Sequence, residues 1–414
     1  MNMSSSGQLV TSVTRADVRE KTRSLPRLTR GAIRFATGLE AGSLTIHLPE
    51  GQAFQICGSK PGPAADLIIH DHNFASRLLK RGELGVAEGF VAEEWSSPDV
   101  TRFLELFCVN QGLIQTAIDD RHVVKLILKL RGWLNRNTRR GSKKNISAHY
   151  DLGNAFYRQW LDPTMTYSSA VFESGLEDLS QAQILKYRSL ADQAGIGASD
   201  TVLEIGCGWG GFAEFAAREI GCNVTALTIS QEQFDFARER VFKAGLSEKV
   251  NIKFQDYRDE TGQYDRIASI EMFEAVGEAY WPVFFDRMKN CLKPGGTAGL
   301  QIITIQDRFF QTYRNEMDFI RRYIFPGGML PTPQILQHLG EQVDLHMVSE
   351  RVFGHDYAKT LQIWRERFDE AWPSIMPLGF DQQFNNLWRY YLHYCEAGFR
   401  SENIDVRQLV FARK

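Results

Sequence analysis

The chain has 414 residues, 43% of them apolar and 24% charged, with a net charge of −2. That length suits two globular domains, and the near balance of charge excludes a protein that holds nucleic acid by its overall field. No apolar run reaches the roughly 18 residues that a membrane-spanning helix requires.

The N-terminus, "MNMSSSGQLVTSVTRADVREKTR", lacks the apolar segment of a secretory signal. Residues 1–25 are expected to form a disordered lead-in. A small α+β domain is predicted over 26–120. Within it, residues 31–70 read as strands, with alternation in "SLTIHLPEGQAFQICG" around a turn at Pro49-Glu50-Gly51, then "ADLIIHD". "NFASRLLKRGELGVAEGFVAEEW" has helical spacing broken at Gly82 and Gly85, and "PDVTRFLELFCVNQGLIQTAI" is helical again.

Residues 121–144 hold nine Lys or Arg and no acid. Val123, Leu126, Ile127, Leu130, Trp133 and Leu134 recur at helical spacing. The segment reads either as a surface helix with a solvated basic face or as an amphipathic element lying on an anionic membrane. No nucleic-acid-binding motif accompanies it. The six cysteines, Cys57, Cys108, Cys207, Cys222, Cys291 and Cys395, form no CxxC pair and no metal-ligand spacing. They are expected to be free thiols of a cytoplasmic protein without a metal site.

From about residue 180 strands and helices alternate. "TVLEIGC", "NVTALTI", "VNIKFQD", "YDRIASIE" and "GTAGLQIITI" read as strands; "GFAEFAAREI", "SQEQFDFARERVFKAG" and "YWPVFFDRMKNCL" read as helices. Such alternation predicts a Rossmann-like, doubly wound α/β fold with a mostly parallel sheet. Ligands of such sheets bind beyond the carboxyl ends of the strands, here near Gly206, Thr228, Asp256, Glu271 and Gln301.

"VLEIGCGWGG" runs from a strand through a glycine turn into a helix. Gly206, Gly208 and Gly210 allow a tight turn and close approach of a ligand. Gly206, Gly208 and Gly211 also satisfy the dinucleotide spacing, so a nicotinamide cofactor stays open. Three features favour S-adenosylmethionine. Glu204 precedes the first glycine by two residues and can receive a cationic amino-acid ligand. No acid ends "NVTALTI", where a nicotinamide cofactor's ribose finds its acceptor. Asp256 ends the third strand, placed to accept from an adenine amino group.

The phrases "ISAHYDLGNAFYRQWLDPTMTYSSAVFE", "LEIGCGWGG", "LTISQEQ", "MFEAVG", "YIFPGGMLPTP", "DYAKTLQIW" and "YYLHYCEAGFR" together resemble the cyclopropane fatty acid synthase family, which includes the mycolic acid cyclopropane synthases. The likeness runs in order from about residue 145 to the C-terminus. "GELGVAEGFVAEEW" resembles the extra domain of the longer bacterial synthases. The resemblance implies a class I methyltransferase domain over 145–414. It also implies methyl transfer from S-adenosylmethionine to a cis double bond of an acyl chain, usually in a phospholipid. An enzyme of this kind would sit peripherally on the inner face of the membrane, and the family is often oligomeric. The alkene attacks the sulfonium methyl and becomes a carbocation, so the site must exclude water, tolerate positive charge and remove a proton. Tyr150, Phe156, Tyr157, Tyr167, Phe172, Phe273 and Tyr323 are candidate aromatic faces, or plain core. By the same resemblance Tyr167, Ser168, Gly206, Gly208, Thr228, Ser230, Gln233 and Tyr257 should touch the cofactor.

The family commonly holds a bicarbonate ion as base, bound by a Cys, a Glu, a His, an Ile backbone group and a Tyr. Glu274, Ile303 and Tyr357 match three of these. Ser169 replaces the Cys, Gln301 replaces the His, and Ala275 replaces another frequent His. Glu271, in "SIEMFEAVG", stands where the family usually has a small residue, often Gly. The expectation is that Glu271 occupies the bicarbonate position as a built-in base, with one of the two glutamates protonated and hydrogen-bonded to the other. The competing reading is a surface Glu271 that caps the next helix. A methyl- or methylene-branched product, a soluble methyl acceptor, and an inactive lipid-binding homologue also stay open at this point.

Overall fold

The structure is a computed structural model and describes residues 2–3, 9–112 and 152–414. The basic segment at 121–144 and Tyr150 lie outside the described residues. The chain divides into two compact units, residues 1–128 with 379–401 and residues 129–378 with 402–414.

The first unit is built on six strands: β1 (Asn2–Met3), β2 (Leu9–Ser12), β3 (Ala41–His47), β4 (Ala53–Cys57), β5 (Lys60–Ile69) and β6 (Trp95–Ser96). Their order is β1-β2-β4-β3-β5-β6. Four expectations are corrected here. The lead-in is structured from Leu9, because β2 pairs in parallel with β4 and a helix spans Val18–Lys21. Residues 31–36 are helical, in Arg27–Ala36, since Thr29, Ile33 and Ala36 line one buried face at helical spacing. Gly82 separates the helices Asn73–Arg81 and Glu83–Val91, but Gly85 does not break anything. It lets two helices touch: a Cβ there would lie 2.3 Å from the Arg77 carbonyl oxygen. Finally, the helix Gln382–Arg400, read as part of the catalytic domain, belongs to this first unit. It packs on Glu83–Val91 and Val100–Val109, with Tyr390 against Phe90 and His393 Nδ1 2.8 Å from Thr101 Oγ1.

The second unit carries seven strands: β7 (Thr201–Ile205), β8 (Asn223–Thr228), β9 (Val250–Phe254), β10 (Tyr264–Ile270), β11 (Leu292–Ile305), β12 (Leu345–Val352) and β13 (Ile404–Arg413). The order is β12-β13-β11-β10-β7-β8-β9. Strands β7 to β11 pair in parallel, and β13 runs antiparallel between β11 and β12. Apolar clusters fill both faces. Leu203, Ile267, Leu300 and Phe284 are in one, and Val202, Val224, Ala268 and Phe212 in the other. The five parallel strands are those expected from the alternation. Strand order reverses at β7, so a crevice opens at its carboxyl end between β8 and β10.

Candidate active site

The crevice is a pocket lined by Tyr167, Ser168, Glu204, Gly206, Gly208, Thr228, Gln233, Asp256, Tyr257 and Glu271, among others. Gly206 has φ +83°, and a Cβ on it would meet Met272 Cγ at 2.5 Å. Glycine is thus required on both conformational and steric grounds. Gly208 differs, because a Cβ there would meet nothing within 4 Å. The backbone at this point is open to a ligand.

Glu204 is buried at the end of β7, and its Oε2 has no hydrogen-bond partner among the described residues. Burial pushes its carboxyl up to about 8, against the pull of Arg240 and Lys186. A cationic ligand group would complete this site. The Asp256 carboxylate is held by Arg258, at 2.8 Å from Nε and 2.5 Å from the terminal nitrogen. The Arg258 guanidinium lies over the rings of Tyr257 and Tyr280. Glutamate, open glycine backbone and Asp256 therefore follow one wall, which fits S-adenosylmethionine from its ammonium to its adenine.

Gly210 and Ser230 do other work. Gly210 packs toward Ala237, and Ser230 caps the helix Gln231–Lys243 by accepting from the Gln233 amide at 3.4 Å. Neither lines the pocket, whereas Thr228 and Gln233 do and bond each other at 3.0 Å.

Next to this wall Glu271 directly follows β10, with its side chain turned inward. Its Oε1 accepts from the Ser169 amide at 2.9 Å and from Gln301 Nε2 at 2.8 Å, and its Oε2 accepts from the Tyr357 hydroxyl at 2.5 Å. The helix-capping alternative is thereby excluded. Backbone geometry adds to this. Glu271 has φ +48°, a left-handed conformation that costs a non-glycine residue roughly 1–3 kcal/mol and is usually kept for function. Burial raises the Glu271 carboxyl, while the Tyr357 hydroxyl, Lys186, Gln301 and the Ser169 amide pull it back.

Glu274 is held apart. Its Oε1 accepts from the Ile303 amide at 2.5 Å, and its Oε2 has no partner among the described residues. Burial first, then the nearby Glu271 charge, push its carboxyl up to about 8. The two glutamates therefore interact through charge, and the expected direct hydrogen bond between them is not formed. Ser169 contributes its backbone only, since its hydroxyl donates to the Ala170 carbonyl. Gln301 is locked by its neighbours: its amide also donates to the Ser169 carbonyl, and its oxygen accepts from Gln408.

The aromatic expectations divide. Tyr167 lines the pocket and packs against Tyr157, Trp160 and Trp364. Phe156 stands behind that cluster. Phe273 is core, stacked on Trp281. Phe172 sits beneath the Lys359 ammonium, and Tyr323 packs on Phe319. Sequence reasoning missed Trp209, Arg258 and Met272 in the pocket wall and Trp364 behind it. It also missed Lys186, although the buried face Ala182, Gln183, Lys186, Leu190 of the helix Leu179–Ala194 places a lysine at apolar spacing. Among the described residues no group of His, Cys, Asp and Glu could hold a metal.

Residues 137–409 match the family model described as mycolic acid cyclopropane synthetase. The chain is 36% identical over 409 residues to the tuberculostearic acid methyltransferase UfaA1 of Mycobacterium tuberculosis, covering 94% of this chain and 95% of that protein. It is 34% identical over 366 residues to the cyclopropane-fatty-acyl-phospholipid synthase of Escherichia coli K12, covering 86% and 90%. Among solved structures, the cyclopropane synthase MmaA2 from Mycobacterium tuberculosis matches with TM-score 0.62 and 29% identity, over 66% of this chain and 98% of that one. The cyclopropane synthase CmaA1, complexed with SAH and CTAB, matches to the same extent, with TM-score 0.62, 29% identity and 66% and 98% coverage.

Proposed function

We propose, from the premise that this chain belongs to the mycolic acid cyclopropane synthetase family, that it is an S-adenosylmethionine-dependent methyltransferase acting on a cis double bond of a phospholipid acyl chain. S-adenosylmethionine supplies an electrophilic methyl on a cationic sulfur. Glu204, the Gly206–Gly208 backbone, Thr228, Gln233 and the Asp256–Tyr257 end would bind it. Tyr167 and the rings behind it shield the reacting carbons from water and present π faces to a developing cation.

Glu271 is the base. Once the alkene carbon has bonded the methyl, one C–H bond must break and its electron pair must quench the acyl cation. Three donors converge on the Glu271 carboxyl and oppose the rise that burial imposes on it, and this convergence carries the reading. Glu274, with its carboxyl pushed up to about 8, stays neutral beside it at neutral pH. Loss of the Cys and His ligands and gain of Glu271 then form a single exchange of a bound ion for a side chain.

Which proton Glu271 takes decides the product. Removal from the new methyl closes a cyclopropane; removal from a neighbouring chain carbon leaves a branched alkene. The branched product is kept as a second reading, because UfaA1 is named a methyltransferase and not a cyclopropane synthase. No helix among the described residues is long and apolar enough to cross a membrane. A phospholipid acyl substrate calls for contact with a membrane surface, and the basic composition of residues 121–144, which lie outside the described residues, supports that segment as the contact on the cytoplasmic side. All six cysteines are free thiols, as suits that compartment.

The test is incubation with S-adenosylmethionine and vesicles of monounsaturated phospholipid, with acyl products read by mass spectrometry. A mass gain of one CH2 is expected, resistant to ozone for a ring and cleaved by ozone for a branched alkene. Methylation of soluble amines or phenols, with untouched lipid, would overturn the reading.

A further inference from the structure

Lys186 is fully buried, at 0% exposure, on the inner face of the helix Leu179–Ala194. Among the described residues its ammonium has one hydrogen-bond acceptor, Ser168 Oγ at 2.6 Å, and it rests 4.5 Å from the centre of the Tyr187 ring. Burying an ammonium with so few partners is expensive unless charges nearby compensate it. Burial lowers the Lys186 amine to about 7, against the opposing pull of Glu271, Asp162 and Glu204, the strongest of which is Glu271, so the amine carries its charge in the acid range where the Glu271 carboxyl titrates.

Lys186 also reaches Glu271 by two covalently separate routes. Its side chain holds Ser168, whose neighbour Ser169 donates its amide to Glu271. Its backbone carbonyl accepts from Gln408 Nε2 at 3.0 Å, and the same amide donates to Gln301 Oε1 at 3.1 Å. Gln408 cannot turn over, because its own oxygen accepts from Ser189 and Gln193. Gln301 is therefore held with its oxygen toward Gln408 and its nitrogen toward Glu271. A carbonyl and an ammonium of one residue thus fix two of the three donors on the carboxylate, and the ammonium supplies the countercharge.

We propose that Lys186 is the positioning residue for Glu271, holding it as an oriented anion ready to accept a proton. This rests on the reading of Glu271 as the base. The other ionisable groups that face Glu271 are Tyr357, which donates to it, and Glu274, whose own carboxyl is protonated at neutral pH. Neither supplies positive charge, and Arg240 is engaged by Glu214 and the Thr164 carbonyl.

The test compares Lys186→Met, Glu271→Gln and the double variant for the pH dependence of kcat, binding of S-adenosylhomocysteine, and Tm. Lys186→Met keeps the carbonyl and the bulk but removes the charge. Its acid limb should move to higher pH by about one unit or more, because an anion loses its cation. S-adenosylhomocysteine binding should weaken by less than about tenfold, since of the cofactor wall only Ser168 loses a bond and Glu204 a distant charge. In Tm, the double variant should be more stable than the sum of the single effects, because the methionine no longer strands a buried anion. This comparison remains valid even if Lys186→Met alone folds poorly. An acid limb left in place in Lys186→Met, or additive Tm changes, overturns the role of Lys186 while Glu271→Gln stays inactive. Full activity with an unchanged acid limb in Glu271→Gln would instead overturn the reading of the base itself.

Discussion

The Tyr357 hydroxyl donates to Glu271 Oε2 at 2.5 Å, across 86 positions of sequence. The resemblance puts Tyr357 where a bicarbonate ligand is expected, and its hydroxyl meets a side chain of its own protein instead. Tyr357→Phe removes that donor and leaves the ring. A hydrogen bond to a charged group contributes about 1.5–3 kcal/mol, so the Glu271 carboxyl should rise and be protonated over more of the working range. The expected result is an acid limb displaced upward by about one pH unit with the KM for S-adenosylmethionine unchanged. Steady-state kinetics across pH would show it.

Glu271→Gly removes the carboxylate and relieves a left-handed backbone, φ +48°. The Ser169 amide, the Gln301 amide and the Tyr357 hydroxyl would then converge on an empty, anion-sized space. Relief of roughly 1–3 kcal/mol of strain is opposed by three donors and Lys186 left without their acceptor, so the variant should melt below the parent in bicarbonate-free buffer and gain Tm as bicarbonate is added. It should be inactive in bicarbonate-free buffer and recover turnover as bicarbonate is added. Activity that does not respond to bicarbonate would mean the donors do not form a usable anion site.

Glu274 gives a pH signature in stability. Its carboxyl is raised from 4.5 to about 8 in the folded protein, chiefly by burial, so the native state holds the proton more tightly than the unfolded chain. Its contribution is complete below about pH 4.5 and is lost as pH rises toward about 8. Glu274→Gln has no proton to lose. Urea midpoints measured across this interval should fall less with pH in Glu274→Gln than in the parent.

Gly206→Ala places a Cβ 2.5 Å from Met272 Cγ at φ +83°. The loop cannot absorb both faults, and the expected loss is of order 1–3 kcal/mol of stability. Calorimetry should show S-adenosylhomocysteine binding weakened tenfold or more. Gly208→Ala meets no protein atom within 4 Å, so its loss should appear in binding far more than in Tm.

Much of the catalytic unit was legible because its signals are local. Continuous apolar strands alternating with amphipathic helices give β7 to β11, and a glycine turn after a strand marks the crevice. The pairing of Glu271 with Ser169, Gln301 and Tyr357 was visible only through the resemblance, since those residues come from four separate stretches of chain. What stayed hidden depended on long-range packing. Nothing local says that Gln382–Arg400 leaves the catalytic unit to pack on Val100–Val109. Thr29, Ile33 and Ala36 carry a helical period that the strand alternation beginning soon after them masks. The absence of a direct hydrogen bond between Glu274 and Glu271 goes with a backbone amide, Ile303, that holds Glu274 and that no side-chain pattern reveals.

The central claim is that the base belongs to the polypeptide. Turnover of the unmodified enzyme on monounsaturated phospholipid vesicles, in buffer stripped of carbon dioxide and then with bicarbonate restored, tests this most directly. Equal rates in both buffers, together with loss of about a hundredfold or more of kcat in Glu271→Gln at unchanged S-adenosylhomocysteine affinity, are predicted. A parent enzyme that turns over only when bicarbonate is present would contradict the account.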